Sequence, residues 1–140
     1  MIILSEKTLI NVRFNEVDSL SIVWHGHYLK YFEDAREAFG KKYGLSYLDL
    51  YEFGYVTPIV NINCQYKVPL SYGETAIVEV IYHDTKAARI EMEYKIINSA
   101  SNILLVTGYS TQVFLDRTKF ELQLIIPEFF AEWKKKWGIE

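Results

Sequence analysis

Two segments of this 140-residue chain alternate apolar and polar residues with a period of two. In residues 61–68 the apolar positions are Ile62, Cys64, Tyr66 and Val68. Residues 89–96 continue the alternation, residues 74–83 are rich in Ile and Val, and residues 103–115 form a long last segment. Short polar turns separate these segments. Because the side chains of a strand point to opposite faces in turn, each segment predicts a strand with one buried face. Turns this short favour antiparallel neighbours, since parallel pairing needs long crossovers.

A helical pattern precedes these strands. From about Gly26, apolar residues recur every three or four positions, at Tyr28, Phe32, Ala35 and Phe39. This stripe predicts a largely enclosed helix that ends near Gly44. The patterns also predict a half-buried strand over residues 7–14, a short helix over 46–53 and a C-terminal helix over about 127–137 that packs on the body of the domain.

These elements together predict a single α+β domain over residues 1–140. Its antiparallel five-stranded sheet is expected to curl around one long central helix, so that both apolar faces are buried. Gly108 lies inside the last strand segment and predicts an interruption there, either a bulge or the close approach of another group.

Composition excludes several classes of protein. The net charge is −3, so a basic surface for nucleic acid is not expected. The cluster Lys134–Lys136 is predicted to be a solvated helix face. The single cysteine, Cys64, is predicted to lie in the core and fits a reducing compartment. The chain shows no signal-peptide pattern and no apolar run long enough to span a bilayer, so a cytoplasmic protein is expected.

An acidic turn lies between the first strand and the long helix. Its Asp18 has a common role in turns and helix caps, and an acid ahead of a helix N-terminus is also placed to attack a carbonyl group. The histidines His25 and His27 are two residues apart and His83 is distant, which is not a metal-ligand spacing on a helix. No metal site is expected.

The chain resembles the hotdog-fold thioesterases over about residues 10–117. The likeness is greatest to the 4-hydroxybenzoyl-CoA thioesterase family and its Tol-Pal-associated branch of short-chain acyl-CoA thioesterases. The first block that carries it is Val12-Arg13-Phe14, Asp18, Ile22-Val23-Trp24-His25, Tyr28-Leu29, Tyr31-Phe32-Glu33 and Ala35-Arg36. The later blocks are Pro58, Tyr66, Pro69, Tyr72-Gly73-Glu74, Gly108 and Val113-Phe114-Leu115-Asp116.

The resemblance implies an acyl-CoA thioesterase that releases a carboxylic acid and free coenzyme A. Asp18 would act as nucleophile or general base, and the backbone N–H of His25 would receive the oxyanion at the helix start. The His25 ring would either position substrate or water, or cap the helix. Glu16 is the second candidate for the acid, because in an extended chain it points to the same side as Asp18, and it is expected to be structural or solvent-exposed. No cofactor is implied, because coenzyme A is part of the substrate.

The resemblance also implies binding residues and partners. Lys86, Arg89 and Tyr28 would bind the substrate, a thioester of coenzyme A or of acyl carrier protein. The alternative for Lys86 and Arg89 is an exposed basic turn without a binding role. A homodimer with paired sheet edges, and a further pairing into a dimer of dimers, is implied, with active sites at the dimer interface. In related sequences a glycine usually occupies the position of Ser21, which therefore has either an ordinary φ or a strained one.

Two other functions remain open. One is a hydratase or dehydratase acting on acyl-CoA, which would need the His25 side chain as a proton carrier. The other is a non-catalytic protein that binds acyl thioesters or acyl carrier protein.

Overall fold

The computed structural model of the chain describes residues 3–139, in which seven strands and three α-helices are present. The strands are β1 (Ser5–Asn11), β2 (Tyr55–Val56), β3 (Ile59–Tyr66), β4 (Thr75–His83), β5 (Arg89–Asn98), β6 (Leu104–Val113) and β7 (Leu115–Asp116). The helices are α1 (His27–Tyr43), α2 (Tyr47–Glu52) and α3 (Glu128–Lys136). None of these helices is long and apolar enough to cross a membrane.

Five strands form one antiparallel sheet in the order β1-β4-β5-β6-β3, and β2 pairs with β7 in a separate ribbon. In β4 and β5 buried residues alternate with partly exposed ones along the whole strand. The predicted α+β fold with a five-stranded antiparallel sheet is thus confirmed. The two-residue period predicted the strands correctly because one face of each strand is covered and the other is not.

The first strand ends earlier than the predicted range 7–14. After Asn11 the chain leaves the sheet, and Phe14–Glu16 form a short 3-10 helix in which Phe14 is 77% exposed. The backbone N–H of Glu16 donates to the Arg13 carbonyl over 3.0 Å, and the Glu16 carboxylate accepts from the Arg13 N–H over 2.8 Å. This local pairing bends the chain, so the apolar Phe14 does not continue the buried face.

Helix α1 lies across the covered face of the sheet. The fully buried Phe32 ring stacks on Tyr94 of β5, with 4.4 Å between centroids. At Gly108 an added Cβ would collide with that same ring and would lie 2.8 Å from the Asn63 carbonyl oxygen. The prediction of a close approach at Gly108 is confirmed, but the predicted interruption is wrong, because β6 pairs continuously past this residue.

Helix α3 covers the same face beside α1. The Tyr82 ring of β4 contacts both Phe39 of α1 and Trp133 of α3, with centroids 6.3 and 5.2 Å away. The predicted wrapping of the sheet around one central helix is therefore incomplete, because α3 also packs on that face. The predicted solvated face of α3 is also wrong at Lys134, which is 1% exposed because its ammonium group pairs with Asp84 at 2.8 Å.

Candidate active site

The acidic turn folds into a short hairpin that leads directly into α1. Val17 and Val23 form an isolated antiparallel bridge, and the Asp18 N–H donates to the Ile22 carbonyl over 2.9 Å. At the base of the hairpin the Trp24 N–H donates to the Glu16 carbonyl over 2.9 Å. The hairpin thus places Asp18 and the start of α1 in one compact unit.

The side chain of Asp18 is exposed and makes one hydrogen bond. Its Oδ1 accepts from the Leu20 N–H over 2.8 Å, which is the turn-forming role expected of a loop aspartate. Within residues 3–139, Oδ2 has no hydrogen-bond partner. The turn therefore leaves one carboxylate oxygen free for chemistry.

Ser21 adopts a left-handed backbone with φ at 63°. Its N–H donates to the Asp18 carbonyl over 3.0 Å, and its own carbonyl accepts from the Tyr72 N–H over 3.0 Å. This conformation costs a residue with a Cβ roughly 1–2 kcal/mol. The loop thus keeps the backbone shape that glycine favours, and serine bears the strain.

The start of α1 presents unpaired donors. Within the described residues, the backbone N–H groups of His25 and Gly26 have no hydrogen-bond acceptor. Gly26 already has helical dihedral angles, with φ at −68° and ψ at −23°. Unpaired N–H groups at the positive end of a helix dipole suit a developing oxyanion.

Tyr66 fixes the orientation of one of these donors. Its hydroxyl donates to the His25 carbonyl over 3.1 Å, and that carbonyl belongs to the same peptide plane as the Gly26 N–H. In a trans peptide the two groups point in opposite directions, so Tyr66 directs the Gly26 N–H away from itself. The sequence patterns did not indicate this contact, because it joins residues far apart in the chain.

The His25 ring is exposed and lies between two aromatic rings. Its centroid is 4.8 Å from that of Trp24 and 6.3 Å from that of Tyr66. The ring makes no hydrogen bond with the described residues and thus does not cap α1. No cluster of three or more His, Cys, Asp or Glu side chains that could hold a metal occurs in residues 3–139.

Two further candidates are engaged in structural contacts. The Glu16 carboxylate accepts from the Tyr31 hydroxyl over 3.0 Å, and burial and this bond raise the pKa of Tyr31 well above its ordinary value. Tyr28 is 3% exposed, and its hydroxyl accepts from the Leu70 N–H over 3.2 Å. Glu16 has the structural contacts expected of it, and Tyr28 links the first turn of α1 to the segment around Leu70.

Lys86 and Arg89 lie at the other end of the sheet. Both are exposed at the connection between β4 and β5, and the Arg89 guanidinium is 3.5 Å from the Glu91 carboxylate. The hairpin with Asp18 contacts Ser71 and Tyr72, just before β4 begins. The nine residues of β4 span about 30 Å, so one chain does not bring these cations to Asp18.

The sequence profile of the Thioesterase-like superfamily matches residues 12–134. The chain belongs to this superfamily. It is 35% identical over 127 residues to a protein of Bacillus subtilis (strain 168) named "Putative acyl-CoA thioesterase YneP", and the match covers 91% of each chain.

The fold of this thioesterase-like chain is that of hotdog-fold enzymes of known structure. The DHNA-CoA thioesterase from Staphylococcus aureus superposes with a TM-score of 0.84 at 26% identity, covering 96% of this chain and 89% of that one. A 4-hydroxybenzoyl CoA thioesterase superposes with a TM-score of 0.79 at 20% identity, covering 93% and 98%. The resemblance to hotdog thioesterases is confirmed, and the assignment to the Tol-Pal branch stays a prediction.

This hotdog domain also contains a cavity that the sequence patterns did not indicate. It has a volume of about 640 Å³ and lies between α1, α2 and the sheet. Its apolar wall includes Phe39, Leu50, Ile59 and Met92, and Arg36 is among its polar residues. Cavities of this size and character suit small organic groups.

Proposed function

We propose that this chain hydrolyses acyl-CoA thioesters to a carboxylic acid and free coenzyme A. The observation that carries the proposal is the pairing of a free carboxylate oxygen on Asp18 with free N–H groups at His25 and Gly26 in one hairpin and helix start. The names of the related proteins support a thioester substrate. Because coenzyme A is part of the substrate, the reaction needs no cofactor.

The chemistry can follow either of two routes. Asp18 can take a proton from water, whose oxygen then attacks the thioester carbon, or its carboxylate can attack to form an anhydride that water cleaves. In both routes the C–S bond breaks, the thiolate leaves and takes up a proton, and the acid is released. The carbonyl oxygen gains negative charge in both, and the N–H groups at the start of α1 stabilise it.

The local geometry supports hydrolysis, and a separate experiment tests each of the two rival functions. The left-handed backbone at Ser21 keeps the Asp18 turn in a glycine-like shape, which supports an intact catalytic loop. Hydration of an enoyl-CoA would require the His25 ring to carry a proton. His25→Ala leaves the backbone donors in place, so retained hydrolysis and no hydratase activity are expected. A chain that binds acyl-CoA without turnover would instead be the non-catalytic protein.

The homodimer is part of the proposal. In the described sheet β3 pairs only with β6 and has a free edge. The exposed apolar side chains of Tyr66 and Val68 lie at its end, and those of Tyr47 and Phe120 lie beside its start. A two-fold axis near the middle of β3 would pair this edge with the same edge of the partner subunit. The apolar side chains at the end of β3 in each protomer would then contact those beside the start of β3 in the other protomer.

This dimer would also bring Lys86 and Arg89 of one protomer close to Asp18 of the other. The same two-fold rotation brings the start of the partner's β3 beside Tyr66, and with it the partner's cavity and the partner's turn between β4 and β5. Lys86 and Arg89 of the partner would then lie at the Asp18 end of the sheet, where they could bind the phosphates of coenzyme A. The proposed site is therefore shared between two protomers, and a second pairing into a tetramer extends the proposal.

Charge reversal tests this arrangement. Lys86→Glu is expected to raise KM for acyl-CoA about tenfold or more with kcat nearly unchanged, because phosphate binding is remote from the reacting carbon. Lys7→Glu is the matched control, since Lys7 is exposed on β1 at the far edge of the sheet. An equal KM for both variants would remove Lys86 from the site, and a monomer in sedimentation at assay concentration would refute the shared site.

A screen of hydrolysis over acyl-CoA chain lengths and benzoyl-CoA, run beside Asp18→Asn, tests the activity itself. Competition by acyl carrier protein thioesters distinguishes the two carriers. A cytoplasmic location belongs to the same proposal and is supported by Cys64, a free thiol of the kind that reducing compartments maintain. Cell fractionation tests it.

A further inference from the structure

We propose that Glu74 and Asn98 are positioning residues for the candidate active site. They brace the turn at residues 70–73, to which both halves of the site are attached. The proposal rests on the proposed hydrolase function for its catalytic consequence, while its structural consequence can be measured without any substrate.

The turn at residues 70–73 holds the Asp18 hairpin through its backbone. The Val23 N–H donates to the Leu70 carbonyl over 2.8 Å, and the Tyr72 N–H donates to the Ser21 carbonyl over 3.0 Å. Ile22 and Ser71 form an antiparallel bridge between these bonds. The hairpin that presents Asp18 is thus attached to this turn.

The same turn holds the start of α1. The Leu70 N–H donates to the Tyr28 hydroxyl over 3.2 Å, and both residues are buried. Tyr28 is the second residue of the helix, close to the free N–H groups of His25 and Gly26. A shift of the turn would therefore move the acid and the oxyanion donors relative to each other.

Glu74 uses both carboxylate oxygens to fix the turn. Its Oε1 accepts from the Ser71 N–H over 2.7 Å, and its Oε2 accepts from Asn98 Nδ2 over 2.7 Å. Asn98 is 7% exposed at the end of β5, and its Oδ1 accepts from the N–H groups of Ala100 and Ser101 over 3.0 and 3.2 Å. The turn is thereby anchored to the rigid central strand of the sheet.

The brace matters because the loop it holds is strained. Ser21 keeps its φ of 63° only while its surroundings impose it. Loosening the turn would let this loop relax and displace Asp18. A displacement of about 1 Å in a catalytic group can cost about 100-fold in rate.

A reciprocal exchange of side chains tests the brace. In Glu74→Gln the new amide has one oxygen for two donors, the Ser71 N–H and Asn98 Nδ2, so one donor loses its acceptor. In Asn98→Asp two carboxylates lie within hydrogen-bond distance of each other and repel. Each single variant is expected to lower kcat about 10- to 100-fold with a smaller change in KM.

The double variant carries both exchanges at once. The amide introduced at position 74 donates to the carboxylate introduced at position 98, and its oxygen accepts from the Ser71 N–H. Every bond is then restored, so kcat is expected to recover. Asp116→Asn is the control, because its carboxylate also accepts a loop N–H, from Lys119 over 2.9 Å.

Hydrogen exchange provides the readout that does not depend on catalysis. Glu74→Gln is expected to speed amide exchange in residues 18–28 as well as in 70–74, with the sheet unchanged and the double variant restored. Unchanged exchange in 18–28 would overturn the proposal even if the chain hydrolysed nothing. Single variants with lower thermal stability but wild-type kcat would also overturn it, since the contact would then be structural alone. If instead wild type shows no thioesterase activity while the exchange effect is present, the proposed function fails and the brace stands.

Discussion

Replacing Lys134 by methionine tests the buried cation that anchors α3. The Lys134 side chain is 1% exposed, and its Nζ lies 2.8 Å from an Asp84 oxygen and donates to the Thr85 carbonyl over 2.7 Å. Methionine keeps most of the length of the side chain but removes both bonds. Each charge-assisted bond contributes about 1.5–3 kcal/mol.

The expected net loss is smaller than the sum of the two bonds. Asp84 is 35% exposed and regains water when its partner is removed, while methionine places an apolar end where the ammonium group lay 5.2 Å from the centre of the Phe130 ring. We therefore expect Lys134→Met to lower the free energy of unfolding by about 2–3 kcal/mol. Urea denaturation followed by circular dichroism, at one fixed protomer concentration, measures it.

The neighbouring residue supplies the control for this measurement. Lys135 is exposed on the same helix, so Lys135→Met is expected to change the free energy of unfolding by less than about 0.5 kcal/mol. If the two variants had the same free energy of unfolding, burial of Lys134 and its two bonds would contribute no more to stability than an exposed lysine does. That result would refute the reasoning.

Two further changes test the packing and the buried hydroxyl. Gly108→Ala is expected to cost about 1–3 kcal/mol in the same denaturation assay, because the new Cβ meets the Phe32 ring and the Asn63 carbonyl oxygen. A Phe32→Leu background should remove the part of that cost that comes from the ring, while the contact with the backbone oxygen remains. Equal costs in both backgrounds would contradict this contact. The pKa of the Tyr31 hydroxyl is raised in the folded state. Above about pH 10 the hydroxyl therefore loses its proton more readily in the unfolded state, and the free energy of unfolding decreases as the pH rises. Tyr31→Phe should reduce that fall in alkaline unfolding, and an identical pH profile would speak against it.

The sheet and the long helix were predictable because burial leaves a period in the sequence. One covered face gives β4 and β5 their alternation, and the stripe beginning at Tyr28 marks the buried side of α1. The end of β1 was not predictable from this period. A local bond between Arg13 and Glu16 turns the chain there, and the apolar Phe14 becomes exposed.

Features that depend on distant partners left no such signal. Lys134 is buried only because Asp84 lies beside it in the folded chain. For the candidate site, Asp18 and His25 were proposed on the basis of the family resemblance. The hydroxyl of Tyr66 and the contact of Glu74 with Asn98 join segments far apart in sequence, so only the folded structure reveals them.

The hydrolysis rate of Asp18→Asn tests the central claim most directly. Asparagine retains the side-chain oxygen that accepts from the Leu20 N–H over 2.8 Å, so the turn is preserved while the carboxylate is lost. The predicted result is a fall in kcat of about 10³-fold or more on an acyl-CoA that wild type hydrolyses, with unchanged thermal stability and a similar KM. Turnover close to that of wild type would contradict the role of Asp18.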